Sequence, residues 1–143
     1  MPNYFTRKTT QNNNKLHAQK VTVDGHLFDS KKEAKRYTEL LYLQRAGEIR
    51  DLELQKPFEL LPAQYEESTE VYTKGKNAGL PKRGKLIERA LFYIADFAYY
   101  DKDGNYVVED VKGYRDPSTA TYGKYVIKRK LMLHRYGIIV KVI

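Results

Sequence analysis

The chain has 143 residues, which is enough for one domain with a hydrophobic core and too few for two. It contains no cysteine, and this excludes a disulfide framework, thiol catalysis and cysteine-ligated zinc. Its 26 Lys and Arg residues outnumber 18 Asp and Glu residues, which gives a formal net charge of +8. Such an excess favours a polyanionic partner, most often nucleic acid, over a charge that serves only solubility.

The first residues of the chain indicate a tail that precedes a single domain. Residues 1–18 are polar and basic, so they predict a flexible tail, and residues 19–143 are predicted to form the domain. The tail lacks the apolar stretch of a signal peptide, and no apolar run approaches the roughly 20 residues that span a bilayer. We therefore expect no membrane partner and a cytoplasmic location.

A small hairpin and the start of a helix are the first elements predicted in the domain. Two short apolar runs, Val21–Val23 and His26–Phe28, flank the turn pair Asp24-Gly25. Ser30 is followed at the right spacing by Glu33, which predicts a helix N-cap with a reciprocal capping box.

The helix that follows is predicted to end at Gly47 and to carry one apolar stripe. The stripe consists of Ala34, Tyr37, Leu40 and Leu41. Glu33 lies four residues before Tyr37 and seven before Leu40, so we expect its carboxyl group to face the sheet. A purely capping role for Glu33 is the alternative, and the two roles are compatible.

The middle of the chain predicts strands separated by one long polar segment. Leu52–Leu61 is predicted to be a strand, and its Pro57 indicates an edge position or a bulge. The residues expected on one face of this strand are Leu52, Leu54, Phe58 and Leu60. Residues 64–84 predict a long loop or an extended hairpin, which contacts phosphates through basic residues or is merely solvated.

The rest of the chain adds two paired strands, a basic helix and a last strand. Leu86–Tyr100 and Tyr106–Lys112 are predicted to pair across the turn Asp101–Asn105. A basic helix is predicted over residues 119–136, and a final strand over Ile138–Ile143. The order αβββαβ predicts an α/β domain with a mixed central sheet flanked by helices.

Carboxylates on the two paired strands point to metal chemistry. A period of two places Asp96 in a row with Phe92, Ile94 and Ala98, where an acidic group is costly without a partner or a metal. On the next strand the same period places Asp110 and Lys112 on one face. If Asp96 lies beside Asp110, a divalent cation relieves the repulsion between them. For Asp110 and Lys112 alone, a structural ion pair is the simpler interpretation.

The motifs SKKEAKRYTELL, YIADF and VVEDVKG, followed by a basic helix, resemble the PD-(D/E)xK nuclease superfamily. The likeness is to small bacteriophage-encoded members described as Holliday-junction resolvase-like or of unknown function, and it covers the chain from about residue 20 onwards. It implies a restriction-endonuclease-like core and a metal-dependent endonuclease that hydrolyses phosphodiester bonds of DNA in a bacterial host cell. Selectivity for branched DNA is an expectation at the level of the family.

The resemblance assigns roles to particular residues. Asp96 and Asp110 match the two metal-binding acids, with Glu109 as second choice for the latter because a bulge would exchange their faces. Lys112 matches the lysine of the motif, and Glu33 matches the helix glutamate of many members. The cation is expected to be Mg²⁺ or Mn²⁺, with the carbonyl of Val111 as a further ligand. Ala95 stands where the motif has proline.

DNA is the expected partner, and several basic residues are expected to contact its phosphates. They are Lys82, Arg83, Lys124, Lys128 and Arg129, although a solvated helix face is the simpler explanation for Lys124 or Lys128 taken singly. A homodimer is expected if both strands of a branched DNA are cut. The alternatives are a non-catalytic nucleic-acid-binding module on a degenerate nuclease fold, and an RNA-binding protein that stacks bases on tyrosines.

Overall fold

The computed structural model describes residues 19–112 and 116–143. The predicted tail over residues 1–18 lies outside the described residues. In chain order the elements are β1 (Val21–Val23), β2 (His26–Phe28), α1 (Lys31–Arg45), β3 (Ile49–Leu61), β4 (Gln64–Tyr65), β5 (Leu86–Glu88), β6 (Leu91–Asp101), β7 (Tyr106–Asp110), α2 (Ala120–Tyr136) and β8 (Lys141–Val142). None of the helices in the described ranges is both long and apolar enough to cross a membrane.

The centre of the domain is a mixed sheet of four strands in the order β3-β6-β7-β8. Strand β6 is antiparallel to both β3 and β7, and β8 returns parallel to β7 after the crossover through α2. Without the two small hairpins, the order of elements is αβββαβ, so the predicted α/β class and element order are confirmed. Pro57 lies on β3, which is an edge strand of this sheet, as the sequence predicts.

Both helices begin and end at the residues whose chemistry predicts it. The Ser30 hydroxyl accepts a hydrogen bond of 3.1 Å from the Glu33 backbone N–H and so caps α1. Thr119 caps α2 in the same way, by accepting from the backbone N–H of Tyr122. Gly137 then ends α2 in the left-handed conformation, with φ of 67°, which glycine adopts without a steric penalty.

Each helix covers one face of the sheet with its own apolar core. The α1 core contains Phe28, Ala34, Tyr37, Leu40, Ile49, Phe97 and Tyr99. The α2 core contains Phe58, Leu60, Tyr93, Ala95, Ala98, Val108, Met132 and Val140. Because helices cover both faces of the sheet, polar side chains on its strands are shielded from solvent. The candidate site lies in this shielded region.

The prediction that Leu52, Leu54, Phe58 and Leu60 share one face of β3 is wrong. Leu52 and Leu54 pack against the α1 core, whereas Phe58 and Leu60 belong to the α2 core on the opposite face. The cause is Gln55, which adopts a left-handed backbone with φ of 49° in the middle of the strand. Such a residue interrupts the period of two, so the residues after it point to the other face.

The same switch occurs in β6, so the predicted row of Phe92, Ile94, Asp96 and Ala98 is wrong as well. Phe92 and Ile94 are 41% and 47% exposed, while Ala98 is buried in the α2 core together with Ala95. In a regular strand, the residues on one face are all odd-numbered or all even-numbered. Because Ala95 and Ala98 share a face, the alternation is interrupted between them. That break lies at Asp96, directly across the sheet from Gln55.

The structure shortens or divides several predicted strands. Leu86–Tyr100 is two strands, because β5 pairs with β4 in a separate hairpin before β6 begins. Residues 64–84 therefore belong to the extended hairpin rather than to an open loop. The last strand is confined to Lys141–Val142, and β7 ends at Asp110, two residues before the predicted end.

Candidate active site

Two aspartates lie side by side where β6 and β7 meet. Asp110 is 1% exposed, and one of its oxygens, Oδ2, accepts a hydrogen bond of 2.7 Å from the Tyr93 hydroxyl. Oδ2 of Asp96 accepts a hydrogen bond of 2.6 Å from the backbone N–H of Val111. Burial, together with the hydrogen bond and the charge of the neighbouring Asp110 carboxyl, raises the pKa of Asp96 to about 7. The protonated form of Asp96 is therefore favoured beside Asp110.

Lys112 supplies the positive charge closest to this pair. Its Nζ lies 2.7 Å from Oδ1 of Asp110, so the two groups form an ion pair, but the angles of this contact do not fit a hydrogen bond. The buried Oδ1 atom therefore accepts no hydrogen bond from any described group. The ammonium group also lies 5.2 Å from the centre of the Tyr125 ring on α2. The predicted placement of Asp110 and Lys112 on the same side of the chain is confirmed.

Glu33 faces the same cluster from the first turn of α1. Its side chain is only 7% exposed, and this burial raises the pKa of Glu33. Oε1 of Glu33 accepts a hydrogen bond of 3.2 Å from the Gln55 side-chain amide, and the same amide nitrogen lies 3.4 Å from Oδ1 of Asp96. The expectation that the Glu33 carboxyl points towards the sheet is confirmed, and Gln55 connects it to the aspartate pair.

Glu109, the second choice for the acidic position, lies on the opposite face of β7. It is fully buried, and its carboxylate is held by Arg36 at 2.8 and 2.7 Å and by the Tyr99 hydroxyl at 2.7 Å. Burial acts to raise the pKa of Glu109, but these hydrogen bonds outweigh it, and the pKa is lowered. Because β7 keeps its alternation, Asp110 is the residue that meets Asp96.

The sequence interpretation missed two features of this site. Gln55 carried no signal, because a glutamine in a predicted strand suggests only a solvated position. The Arg36–Glu109 ion pair was missed because it joins residues far apart in the chain, although Arg36 lies one helical turn after Glu33 and Glu109 directly precedes Asp110. That spacing is the only trace of the pair in the sequence.

The predicted DNA-contacting residues fall into two groups. Lys124, Lys128 and Arg129 lie on α2, and the Arg129 guanidinium lies 5.8 Å from the centre of the Tyr125 ring, which also contacts Lys112. Lys82 and Arg83 lie in the β4–β5 hairpin, where they contact Glu70 and Tyr65. The structure thus brings Arg129 near the cluster through Tyr125, and the hairpin residues make contacts within their own hairpin.

The cluster offers the hard oxygen ligands that Mg²⁺ and Mn²⁺ prefer. Among residues 19–112 and 116–143, no three acidic or histidine side chains come together as a ready metal-binding set, because Gln55 separates Glu33 from Asp96. The backbone N–H of Lys112 donates to Ile143 beside β8, so the carbonyl of the same trans peptide, that of Val111, points away from β8 towards Asp96. Two carboxylates, one of which has an oxygen without a hydrogen bond, and this carbonyl are the kinds of ligand that a divalent cation accepts.

Comparison with known protein families gives one result. The profile of a family described as "Protein of unknown function (DUF1064)" matches residues 13–142. The chain belongs to the DUF1064 family. The DUF1064 match spans the sheet, both helices and every residue of the cluster described above. Searches of curated proteins and of solved structures gave no significant match.

Proposed function

We propose that the protein is a divalent-metal-dependent endodeoxyribonuclease with a restriction-endonuclease-like core of the PD-(D/E)xK type. The observation that carries the proposal is the pair of Asp96 and Asp110 on neighbouring strands, with the Lys112 ammonium 2.7 Å from Asp110. A buried carboxylate in contact with a partly buried one is unfavourable in a purely structural role, because each raises the cost of ionising the other. Their combination with a lysine on the same face fits phosphodiester hydrolysis.

Each residue of the cluster would have a separate part in the reaction. Asp96 and Asp110 would hold Mg²⁺ or Mn²⁺ together with the Val111 carbonyl, and the bound ion supplies polarisation of the phosphodiester and a more acidic water. Lys112 is 36% exposed beside a buried carboxylate, so its ammonium reaches both Asp110 and a phosphate oxygen that enters the cluster. There it orients the attacking water and offsets developing negative charge.

The basic side of α2 gives a path for the DNA. Tyr125 contacts both Lys112 and Arg129, so phosphates bound along α2 by Lys124, Lys128 and Arg129 lead to the carboxylate cluster. Contacts of this kind hold the backbone without reading sequence, which suits an enzyme that selects DNA by shape. Selectivity for branched DNA and a homodimer that cuts two strands are parts of this proposal.

A non-catalytic DNA-binding module is the second candidate. The observation in its favour is that the described ranges hold no ready set of three metal-binding side chains. A titration with Mn²⁺ separates the candidates, because the module has no need of a saturable cation site. Saturable binding that depends on Asp96 supports the nuclease, and its absence supports the module.

The proposal is tested by a cleavage panel of linear, nicked, flapped and four-way DNA in the presence of Mn²⁺. We expect the wild type to cut at least one substrate and Lys112→Ala to cut it about 100-fold more slowly, which is typical for the loss of a group that stabilises transition-state charge. Lys102→Ala is the matched control, because Lys102 is an exposed lysine paired with Glu48 in a contact outside the cluster. Equal rates for Lys112→Ala and the wild type would contradict the proposal.

A further inference from the structure

Gln55 is the polar residue of the cluster to which the proposed function gives no role. It lies in the middle of β3 with φ of 49°, a left-handed backbone that residues other than glycine rarely adopt. Strained backbone of this kind persists only where the surrounding structure enforces it, and such residues concentrate at functional sites. Neither a turn nor the end of the strand explains the conformation at this position.

The backbone of Gln55 has a definite consequence for the direction of its side chain. The pairs Leu54 with Phe97 and Lys56 with Ala95 keep one register, so Gln55 lies directly opposite Asp96 and no residue is inserted. Both strands change faces at this pair. The change brings the Gln55 side chain to Asp96 and to Glu33, which reaches the same point from α1.

The contacts of the amide show what kind of group this position attracts. Nε2 of Gln55 lies 3.2 Å from Oε1 of Glu33 and 3.4 Å from Oδ1 of Asp96. The positive end of an amide dipole therefore lies between two carboxyl groups from different elements, where a shared cation would also lie. An ionised carboxylate only accepts hydrogen bonds, so the amide presents its NH₂ group to these oxygens when they are ionised.

We propose that Gln55 is a further ligand of the divalent cation, which it would bind through its side-chain carbonyl oxygen Oε1 beside Glu33 and Asp96. The inference rests on the cation of the proposed function, although not on DNA cleavage. A half-turn of the amide exchanges Nε2 for Oε1 without moving the backbone. With this oxygen, the gap between Glu33 and the aspartate pair becomes part of one continuous ligand set.

The neutral amide also suits the charge of the site. Glu33, Asp96 and Asp110 already supply three carboxyl groups, and those of Glu33 and Asp110 are buried. A fourth carboxylate would increase the repulsion in the metal-free protein. Side-chain amide oxygens are hard ligands that Ca²⁺ and related cations accept, so glutamine adds a ligand without adding charge.

The test is the affinity for Mn²⁺ of the full chain, measured by calorimetry on metal-free protein. We expect Gln55→Gly to bind Mn²⁺ about tenfold more weakly, in the range seen when groups around a metal site are removed. Glycine accepts the left-handed backbone, so this variant should remain folded. Asp51→Gly is the matched control, because Asp51 is the other left-handed residue of β3 and its side chain pairs with Arg50 instead; its Mn²⁺ affinity should be unchanged.

Gln55→Glu distinguishes an oxygen ligand from an amide that only positions carboxylates. An oxygen ligand predicts Mn²⁺ binding at least as tight as in the wild type, whereas loss of affinity equal to that of Gln55→Gly would overturn the assignment. Wild-type affinity in Gln55→Gly would overturn it as well, even if the protein cleaves DNA. If Gln55→Gly loses affinity but the wild type cleaves no DNA, the nuclease proposal fails and the ligand assignment stands. Absence of Mn²⁺ binding by the wild type would overturn both.

Discussion

At the scale of single residues, the candidate site contains carboxyl groups whose surroundings disfavour the ionised form. Asp96 has an ordinary pKa of 3.8, and burial beside Asp110 raises it to about 7. Burial raises the pKa of Glu33 as well. The pKa of Glu109, on the other face of β7, is lowered by the hydrogen bonds that its carboxylate accepts from Arg36 and Tyr99. Asp96 and Glu33 on the one hand and Glu109 on the other thus lie in opposite electrostatic settings, and raised carboxyl pKa values are more common at functional sites than elsewhere.

Asp96→Asn tests the raised pKa through stability. The folded protein binds the Asp96 proton more tightly than the unfolded chain, so stability from this group is complete below about pH 3.8 and is lost as the pH rises towards 7. Asparagine cannot ionise, and its side-chain oxygen still accepts from Val111. We therefore expect urea denaturation to show the free energy of unfolding of Asp96→Asn rising relative to that of the wild type across this interval.

The control for that comparison is Asp103→Asn, a change in the exposed turn between β6 and β7. It should follow the wild type at every pH. A difference between Asp96→Asn and the wild type that is the same at every pH would show that Asp96 ionises with its ordinary pKa.

At the scale of elements, one ion pair joins the helix and the strand that carry the site. Arg36 of α1 holds the fully buried Glu109 of β7. Glu33 lies one turn before Arg36, and Asp110 follows Glu109, so the pair fixes the position of α1 relative to the aspartates. Its contribution is to geometry, because a buried ion pair adds little net stability but leaves a costly charge when one partner is removed.

Arg36→Ala should therefore destabilise the fold by about 3–5 kcal/mol, which is the usual effect of leaving a buried charge without its partner. The measurement is the midpoint and slope of urea denaturation at neutral pH. Arg50→Ala is the matched control, because it breaks an exposed pair with Asp51 and should change stability by at most about 1 kcal/mol. Equal effects of the two substitutions would show that Glu109 does not depend on Arg36.

The elements also show how far the sequence predicts the structure. Caps, turns and the order αβββαβ follow from local signals such as Ser30 and Gly137, and these predictions are confirmed. The proximity of Asp110 and Lys112 follows from strand alternation. The face switch at Gln55 and Asp96 could not be predicted, because neither glycine nor an inserted residue marks it and a left-handed glutamine depends on its tertiary neighbours.

At the scale of the whole molecule, the net charge of +8 predicts how DNA binding depends on salt. Each phosphate contact releases counterions, so the logarithm of the binding constant should fall linearly with the logarithm of salt concentration. If Lys128 and Arg129 contact phosphates, alanine at either position should reduce the slope by about 1. Fluorescence anisotropy with labelled duplex DNA measures it, and an unchanged slope in both variants would place the DNA elsewhere on the surface.

We propose that Asp110, paired with Asp96, forms the cation site of a nuclease, and variants of Asp110 and of its neighbour Glu109 test this most directly. The measurement is the rate of Mn²⁺-dependent DNA strand cleavage by the wild type, Asp110→Asn and Glu109→Gln, each shown to be folded by circular dichroism. We predict that Asp110→Asn abolishes cleavage and that folded Glu109→Gln retains it, because Glu109 faces α1 and is held by Arg36. Cleavage by Asp110→Asn at the wild-type rate, or no Mn²⁺-dependent cleavage by the wild type, would contradict the claim.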